Sequence, residues 1–254
     1  MGAEMQGFGL VVIGDELLSG KRADKHFPHL CGLLAERGLE LRWVRFVNDE
    51  ARLITRTLQE TAEAGDVVFS CGGIGATPDD RTRQCAADAF DRPLAVHPEG
   101  RAMLEARFGR PVEPARRLNL VNFPEGATLI PNPVNDVPGF SLFDHHFLPG
   151  FPQMAWPMMA WVLDQHYGHW HDAGRLGERS IIVHGARESD VIPLLERFEA
   201  DYPALRLSCL PSLRDEGHQL ELGLRGSPDD IENAMPRLCD AVAALGFSWK
   251  EAIA

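Results

Sequence analysis

The sequence predicts an α/β protein: a mainly parallel sheet with helices on both faces, three layers in all, followed by a small C-terminal α+β domain. Three observations carry that expectation. Short apolar runs alternate with helix-like stretches in β-α-β-α-β-α order up to residue 90. The connections between them span only a few residues, which places parallel strands between covering helices. Composition breaks in the His/Gly-rich stretch 166–177, beyond which the order becomes β-α-β-β-α.

The elements follow in order. Residues 8–13 form an apolar run that stops at Gly14-Asp15-Glu16. A helix is expected over 24–37, with Asp24 as its cap, Pro28 in its first turn and Gly38 as its stop. Residues 39–47 alternate as a strand. Asn48-Asp49-Glu50 then caps a helix whose positions Ile54 and Leu58 share one face. A strand at 66–70 and a helix at 81–90 complete the series. Right-handed crossovers put the loops after each strand on one sheet edge, so 14–21, 48–50 and 71–80 should converge where open α/β sheets bind ligands.

The middle is rich in Pro and Gly, with short strands expected at 128–130, 140–142 and 146–148 and a helix over 101–108. Leu148-Pro149-Gly150-Phe151-Pro152 opens a helix whose Met and Trp residues read as core. Three histidines at 166, 169 and 171 lack acidic or Cys partners at ligand spacing, so a solvated linker is expected there, not a metal site. The expected domains are 1–173 and 178–254.

Composition narrows the partners. A net charge of −12 over 254 residues argues against nucleic acid or an acidic membrane. Five scattered cysteines without a C-x-x-C pair suit reduced thiols in a cytoplasmic chain. No basic leader region and no run of 18 or more apolar residues is present, so neither a signal peptide nor a membrane span is expected.

Residues 67–80 carry most of the chemistry. The run Val67-Val68-Phe69 ends in Gly72, Gly73 and Gly75, then Thr77, Pro78, Asp79 and Asp80, then a helix. Glycines let the backbone approach a ligand, and a helix start aims N–H groups at negative charge. Carboxylates at such a rim suggest a Mg²⁺ bridging to phosphate, or else helix capping.

Gly14-Asp15-Glu16-Leu17-Leu18-Ser19-Gly20, Asp49, Gly72-Gly73-Ile74-Gly75-Ala76-Thr77-Pro78-Asp79-Asp80 and Leu148-Pro149-Gly150-Phe151-Pro152 together resemble the molybdopterin-binding domain family. That family includes molybdenum-cofactor biosynthesis proteins and the N-terminal part of competence/damage-inducible protein A, and the likeness to the latter extends over 178–250. The resemblance implies a bacterial, homo-oligomeric protein (dimer or trimer) that binds a pterin or nucleotide. It also implies a ligand site at Gly14, Asp15, Glu16, Ser19, Gly20, Gly72, Gly73, Ile74, Gly75, Thr77, Asp79, Pro149 and Gly150. Asp49 and Asp80 would be catalytic and hold a divalent metal such as Mg²⁺, with Lys21 or Arg22 neutralising phosphate. Two activities are implied: metal-dependent hydrolysis of ADP-ribose, or adenylyl transfer to a pterin with molybdopterin as ligand. A non-catalytic regulatory binding protein is the third reading.

Two departures stand out. Ala76 replaces the usual Pro of the glycine loop, and Asp24-Lys25-His26 stands where Asp-Thr-Asn is common. The amidohydrolase domain of longer relatives is not expected after Ala254, so deamidation of nicotinamide mononucleotide is not assigned.

Overall fold

The computed structural model describes residues 7–252 apart from positions 111, 113–114, 173, 175 and 215–216. The N-terminal six residues read above for a leader, and the expected domain limits at 1, 173 and 254, lie outside the described residues. Within them the chain divides into two compact units, 7–36 with 40–171 and 37–39 with 172–252.

The first unit contains β1 (Phe8–Ile13), α1 (Asp15–Leu18), α2 (His26–Ala35), β2 (Leu41–Val47), α3 (Ala51–Ala64), β3 (Val67–Cys71) and α4 (Thr82–Ala89). These are followed by β4 (Leu94–Val96), α5 (Pro98–Phe108), β5 (Asn122–Pro124), β6 (Thr128–Ile130), β7 (Gly139–Leu142), β8 (His145–Leu148) and α6 (Pro152–His166). Six strands form one sheet in the order β2-β1-β3-β8-β7-β6. The first four are parallel; at the far edge β7 runs antiparallel to β8, and β6 antiparallel to β7.

Helices cover both faces. Ile54 and Leu58 of α3 and Cys85 of α4 pack in one core with Val11, Val68 and Phe147. On the other face α2 packs on α6. Burial on both sides explains why β1 and β3, apart from Ser70, lack polar side chains. The chain leaves β1 toward β2 and returns on the opposite side as β3, so the strand order reverses between β1 and β3. Ligands of open α/β sheets bind outside the strand ends at such a reversal.

In the first unit the structure differs from the sequence reading in four places. Residues 15–18 form a short helix where a loop was expected. β4 and β5 make a separate antiparallel ribbon that the Pro/Gly-rich middle hid. Asp49 does not cap α3, which starts with no side-chain cap. The stretch after α6 is not a loose linker as far as 170: Tyr167 and Trp170 pack edge-on against Phe8, with ring centroids 5.5 and 5.8 Å away.

Two buried histidines brace β8. Tyr167 donates its hydroxyl proton to Asp144 at 3.4 Å, so that hydroxyl accepts from His146 Nε2 at 2.7 Å. His146 Nδ1 is then left to accept from Ser141 at 2.8 Å. His145 Nε2 pairs with Thr61 at 2.8 Å. Burial pushes the pKa of His145 down to about 4. It pushes that of His146 down to about 3, with the neighbouring His166 and His145 adding to the shift.

The second unit contains β9 (Gly177–His184), α7 (Glu188–Asp201), β10 (Arg206–Arg214), β11 (Gly217–Gly226), α8 (Pro228–Ala244) and β12 (Ser248–Glu251). Its antiparallel sheet has the order β10-β11-β9-β12. That is a split β-α-β arrangement. Ile181, Val183, Leu220, Leu222 and Leu224 meet Val191, Phe198, Ile231 and Leu238 in its core. Ser227 caps α8 by accepting from Asp230 N at 3.1 Å. The sequence reading missed β12, whose four residues are all exposed and show no burial alternation.

Candidate functional site

The loop after β3 is built from inside. Gly72 and Gly73 take φ of +111° and +69°, and a Cβ on Gly72 would lie 2.3 Å from the Ile13 carbonyl. Only glycine suits that path. Thr82 then holds the loop's first carbonyls: its Oγ1 donates to Gly72 O at 2.9 Å and its N–H to Gly73 O at 3.0 Å. Arg83, only 2% exposed, donates to Ile74 O at 2.7 Å and also to Gly75 O. Burial pushes its pKa down, and the charge of Asp80 partly offsets this. A guanidinium titrates so high that Arg83 keeps its charge beneath the loop.

With four successive carbonyls turned inward, the amides turn the other way. Among the described residues no partner pairs with the N–H groups of Ile74, Gly75 and Ala76. Successive free amides over a buried cation form an anion-binding concavity. Asp80 closes the loop by accepting from Thr77 N at 2.9 Å and from the Thr77 hydroxyl. Thr82 and Arg83 were missed in the sequence. The available signal was a cation at a position that the helix pattern assigns to the buried face of α4.

A second cluster flanks this loop. Gly14 N donates to Val47 O at 3.0 Å, joining the ends of β1 and β2. Asp15 N donates to Asp49 Oδ2 at 2.9 Å, and Asp49 N donates back to Asp15 Oδ1 at 3.2 Å. Burial raises the Asp49 pKa, the Asp15 N–H bond lowers it, and the charges of Asp15, Glu16 and Asp79 raise it further. The structure thus brings the 14–16 and 48–50 loops together, with Asp79 as their acidic neighbour. Asp80 instead turns into its own loop, and Ser19 and Gly20 sit exposed after α1.

That geometry bears on the divalent metal expected at Asp49 and Asp80. Among the described residues no group of three or more His, Cys, Asp or Glu is placed to hold a metal ion. The Asp80 carboxylate already accepts two bonds from Thr77. The donor set does not fit a protein-held ion.

A cavity of about 360 Å³ opens at the reversal between β1 and β3. Val12, Ile13 and Leu17 line it with Cys71, Gly150, Phe151 and Pro152, and its polar lining includes Glu16, Arg22, Asp24, Lys25, His26 and Gln153. Of the residues expected in the site, Glu16, Arg22 and Gly150 line this cavity. It adjoins the glycine loop through Gly150, where a Cβ would stand 3.5 Å from the Gly72 Cα.

Asp24 caps α2 by accepting from His26 N at 3.0 Å and Phe27 N at 2.9 Å. His26 is buried, and its Nε2 lies 3.1 Å from the Gly150 carbonyl. A carbonyl only accepts, so Nε2 carries the proton. Burial lowers the His26 pKa, which favours the neutral ring and leaves Nδ1 as an acceptor with no partner among the described residues. The Cys71 thiol is pushed up by full burial and stays protonated, a poor nucleophile.

Comparison with known proteins places this geometry. Residues 9–167 match the family described as "Probable molybdopterin binding domain". A CinA-like protein of Geobacter metallireducens is 31% identical over 245 residues, 93% of this chain and 58% of the relative. A Geobacter sp. CinA-like protein is 36% identical over 148 residues, 55% of this chain and 35% of the relative. The chain therefore spans little more than half, or less, of these curated relatives. A protein of Pyrobaculum arsenaticum is 28% identical over 254 residues, 95% of each chain. The crystal structure of the protein CinA with unknown function from Thermoplasma acidophilum superposes with a TM-score of 0.57 at 24% identity, covering 65% of this chain and 98% of that one.

Proposed function

The chain belongs to the molybdopterin-binding domain family, and from that premise we propose that its first unit binds the phosphate of a pterin or nucleotide on the loop 72–77. One observation carries the reading. Thr82 and Arg83 hold the carbonyls of Gly72 to Gly75, which leaves the amides of Ile74, Gly75 and Ala76 for an anion. Such local recognition is what a chain of net charge −12 needs, because its overall field repels anions. Arg22 and Lys25 at the adjoining cavity supply positive charge.

A second reading adds hydrolysis of an ADP-ribose-type pyrophosphate. It rests on Asp49, whose raised pKa makes it a more basic carboxylate beside a phosphate-binding loop. Adenylyl transfer to a pterin would use the same loop, and a carrier would use it without chemistry.

Calorimetric titration with ADP-ribose, in EDTA and then with Mg²⁺, separates these readings. Saturable binding in EDTA is expected, since amides hold the phosphate. Binding that appears only with Mg²⁺, or none at all, contradicts the proposal. Release of AMP selects hydrolysis, and turnover of molybdopterin with ATP in a parallel assay selects adenylyl transfer.

A further inference from the structure

We infer that the open edge of the first sheet, strand β2, joins two copies of this chain, the two strands pairing antiparallel across a two-fold axis at Val44. The inference is independent of the phosphate reading and stands or falls without it.

The edge of a sheet invites another strand to pair, and folded proteins blunt it with proline, short strands or charge. Among the described residues, three of the four edges of the two larger sheets are blunted in these ways. β6 has three residues and runs into Pro131, β10 carries Pro211, and β12 has four exposed residues that include Lys250 and Glu251. β2 runs seven residues, Leu-Arg-Trp-Val-Arg-Phe-Val, without a proline, and pairs with β1 alone. Its two charges are tied back to its own unit, Arg42 to Asp66 at 3.3 Å and Arg45 to Glu60 at 2.8 Å. Its one irregularity is a register shift where Leu41 and Trp43 meet Phe8 and Gly9. From Trp43 to Val47 it pairs with β1 without a break.

The backbone shows which groups are free. Val47 O accepts from Gly14 N at 3.0 Å, so it faces β1. Strand N–H and C=O groups alternate from side to side, which turns those of Val44 and Phe46 away from β1. Among the described residues no backbone group meets them there. Phe46 is also 42% exposed.

The sequence of β2 is complementary to its own reverse. With Val44 set opposite its own copy, Leu41 meets Val47, Arg42 meets Phe46 and Trp43 meets Arg45, each pair occurring twice. Apolar residues meet apolar ones, each arginine meets an aromatic ring, and no like charges stand opposite each other. Such cross-strand pairs stabilise a sheet, and a guanidinium over an aromatic face is attractive. Arg45 already lies 5.3 Å from the ring centroid of its own Trp43. Moving the axis one residue to Arg45 would set two arginines face to face, so charge selects the register. At Val44 the outward N–H and C=O of each strand meet those of the other and exchange both bonds. The contact is isologous and closes at two copies.

Sedimentation of the full chain over a dilution series tests this, with Val44→Pro, Val44→Thr, Phe46→Lys and Phe46→Glu beside the unaltered protein. Proline at 44 removes an N–H that β1 does not use, and threonine keeps it on a branched side chain. The unaltered chain and Val44→Thr should dimerise, and Val44→Pro should weaken the dimer more than about tenfold. Phe46→Lys sets a cation opposite Arg42 and should also weaken it about tenfold, while Phe46→Glu should stay within about threefold. Lysine lowers the repulsion between two chains of net charge −12, so a contact ruled by net charge would respond in the opposite sense. A monomer at every concentration, as when the edge serves a strand of another protein, overturns the inference. So does a trimer, a dimer that Val44→Pro leaves intact, or tighter pairing of Phe46→Lys than of Phe46→Glu. Matching thermal unfolding checks that the variants fold, and if Val44→Pro does not, the two Phe46 variants decide.

Discussion

The two sheets of this protein treat their loops differently. In the first unit four parallel strands release the chain at the same edge, so the turns after β1, β2 and β3 lie side by side. In the second unit antiparallel strands send successive connections to opposite ends, and β10 pairs with β11 along its whole length. Both units have well-filled apolar cores. The difference lies in what the topology does with polar residues. A parallel sheet gathers residues distant in sequence, such as Asp15 and Asp49, into one place, and an antiparallel one disperses them. The first unit also buries Arg83, His26, His145 and His146, whereas among the described residues the second buries no histidine or arginine.

The largest expected effect comes from breaking the buried support of the anion loop. Arg83→Met keeps much of the side-chain volume and leaves the carbonyls of Ile74 and Gly75 without their donor. Each buried carbonyl left unpaired costs about 1–3 kcal/mol. Stability should fall by about 3 kcal/mol and phosphate affinity by more than tenfold, read by denaturant unfolding and calorimetry. Normal affinity in this variant would show that the loop holds its shape without Arg83.

Acid should separate the two units next. An unfolded histidine titrates near 6.5, and His145 and His146 are held at about 4 and about 3 in the fold. Their folded pKa values are depressed because the neutral ring is the form buried. Their contribution is therefore complete above pH 6.5 and is lost as pH falls from there toward 4 and 3. By pH 5 each costs about 2 kcal/mol relative to neutral pH. Hydrogen exchange at pH 7 and pH 5, corrected for intrinsic rates, should show protection falling around β8 more than in β9 or β11. Equal loss in both units would contradict the buried-histidine account.

Asp49→Asn sharpens the role of the acidic cluster. Asn still accepts from Asp15 N, and removing the charge relieves repulsion from Asp15, Glu16 and Asp79. ADP-ribose should bind in EDTA equally well or up to about fivefold more tightly, while any hydrolysis is lost. A tenfold loss of Mg²⁺-dependent binding would instead point to a metal held by Asp49.

Asp80→Asn should do least. Asn accepts from Thr77 N as Asp does, and stability should stay within about 0.5 kcal/mol. Binding should change less than twofold in the same titration. A tenfold loss would restore Asp80 to direct ligand contact.

Much of this arrangement was legible in the chain. The unbroken apolar runs at Val11 and Val68 could only be buried strands, and short connections between them fix parallel order. The glycines at 72, 73 and 75 marked the loop because few other residues tolerate its path. What stayed hidden depended on tertiary partners. Asp49 sits where a helix cap would, and only the packing of β1 beside β2 shows that it reaches Asp15 instead. Asp79 and Asp80 are adjacent and identical, and the sequence holds nothing to say which turns inward. His26 stands out in the sequence only as a departure from Asp-Thr-Asn, and it is the carbonyl of Gly150, 124 positions away, that makes it a buried acceptor. Unit-two strand β12 carries no periodic signal, since all four of its residues face solvent.

The central claim is that loop amides, not a metal, receive the anion. Amide chemical shifts measured by NMR during titration with AMP in EDTA test it most directly. The account predicts saturable shifts concentrated at Ile74, Gly75 and Ala76, with residues of β9 and β11 unmoved. Shifts absent from those three amides while AMP binds, or centred on the second unit, would contradict it.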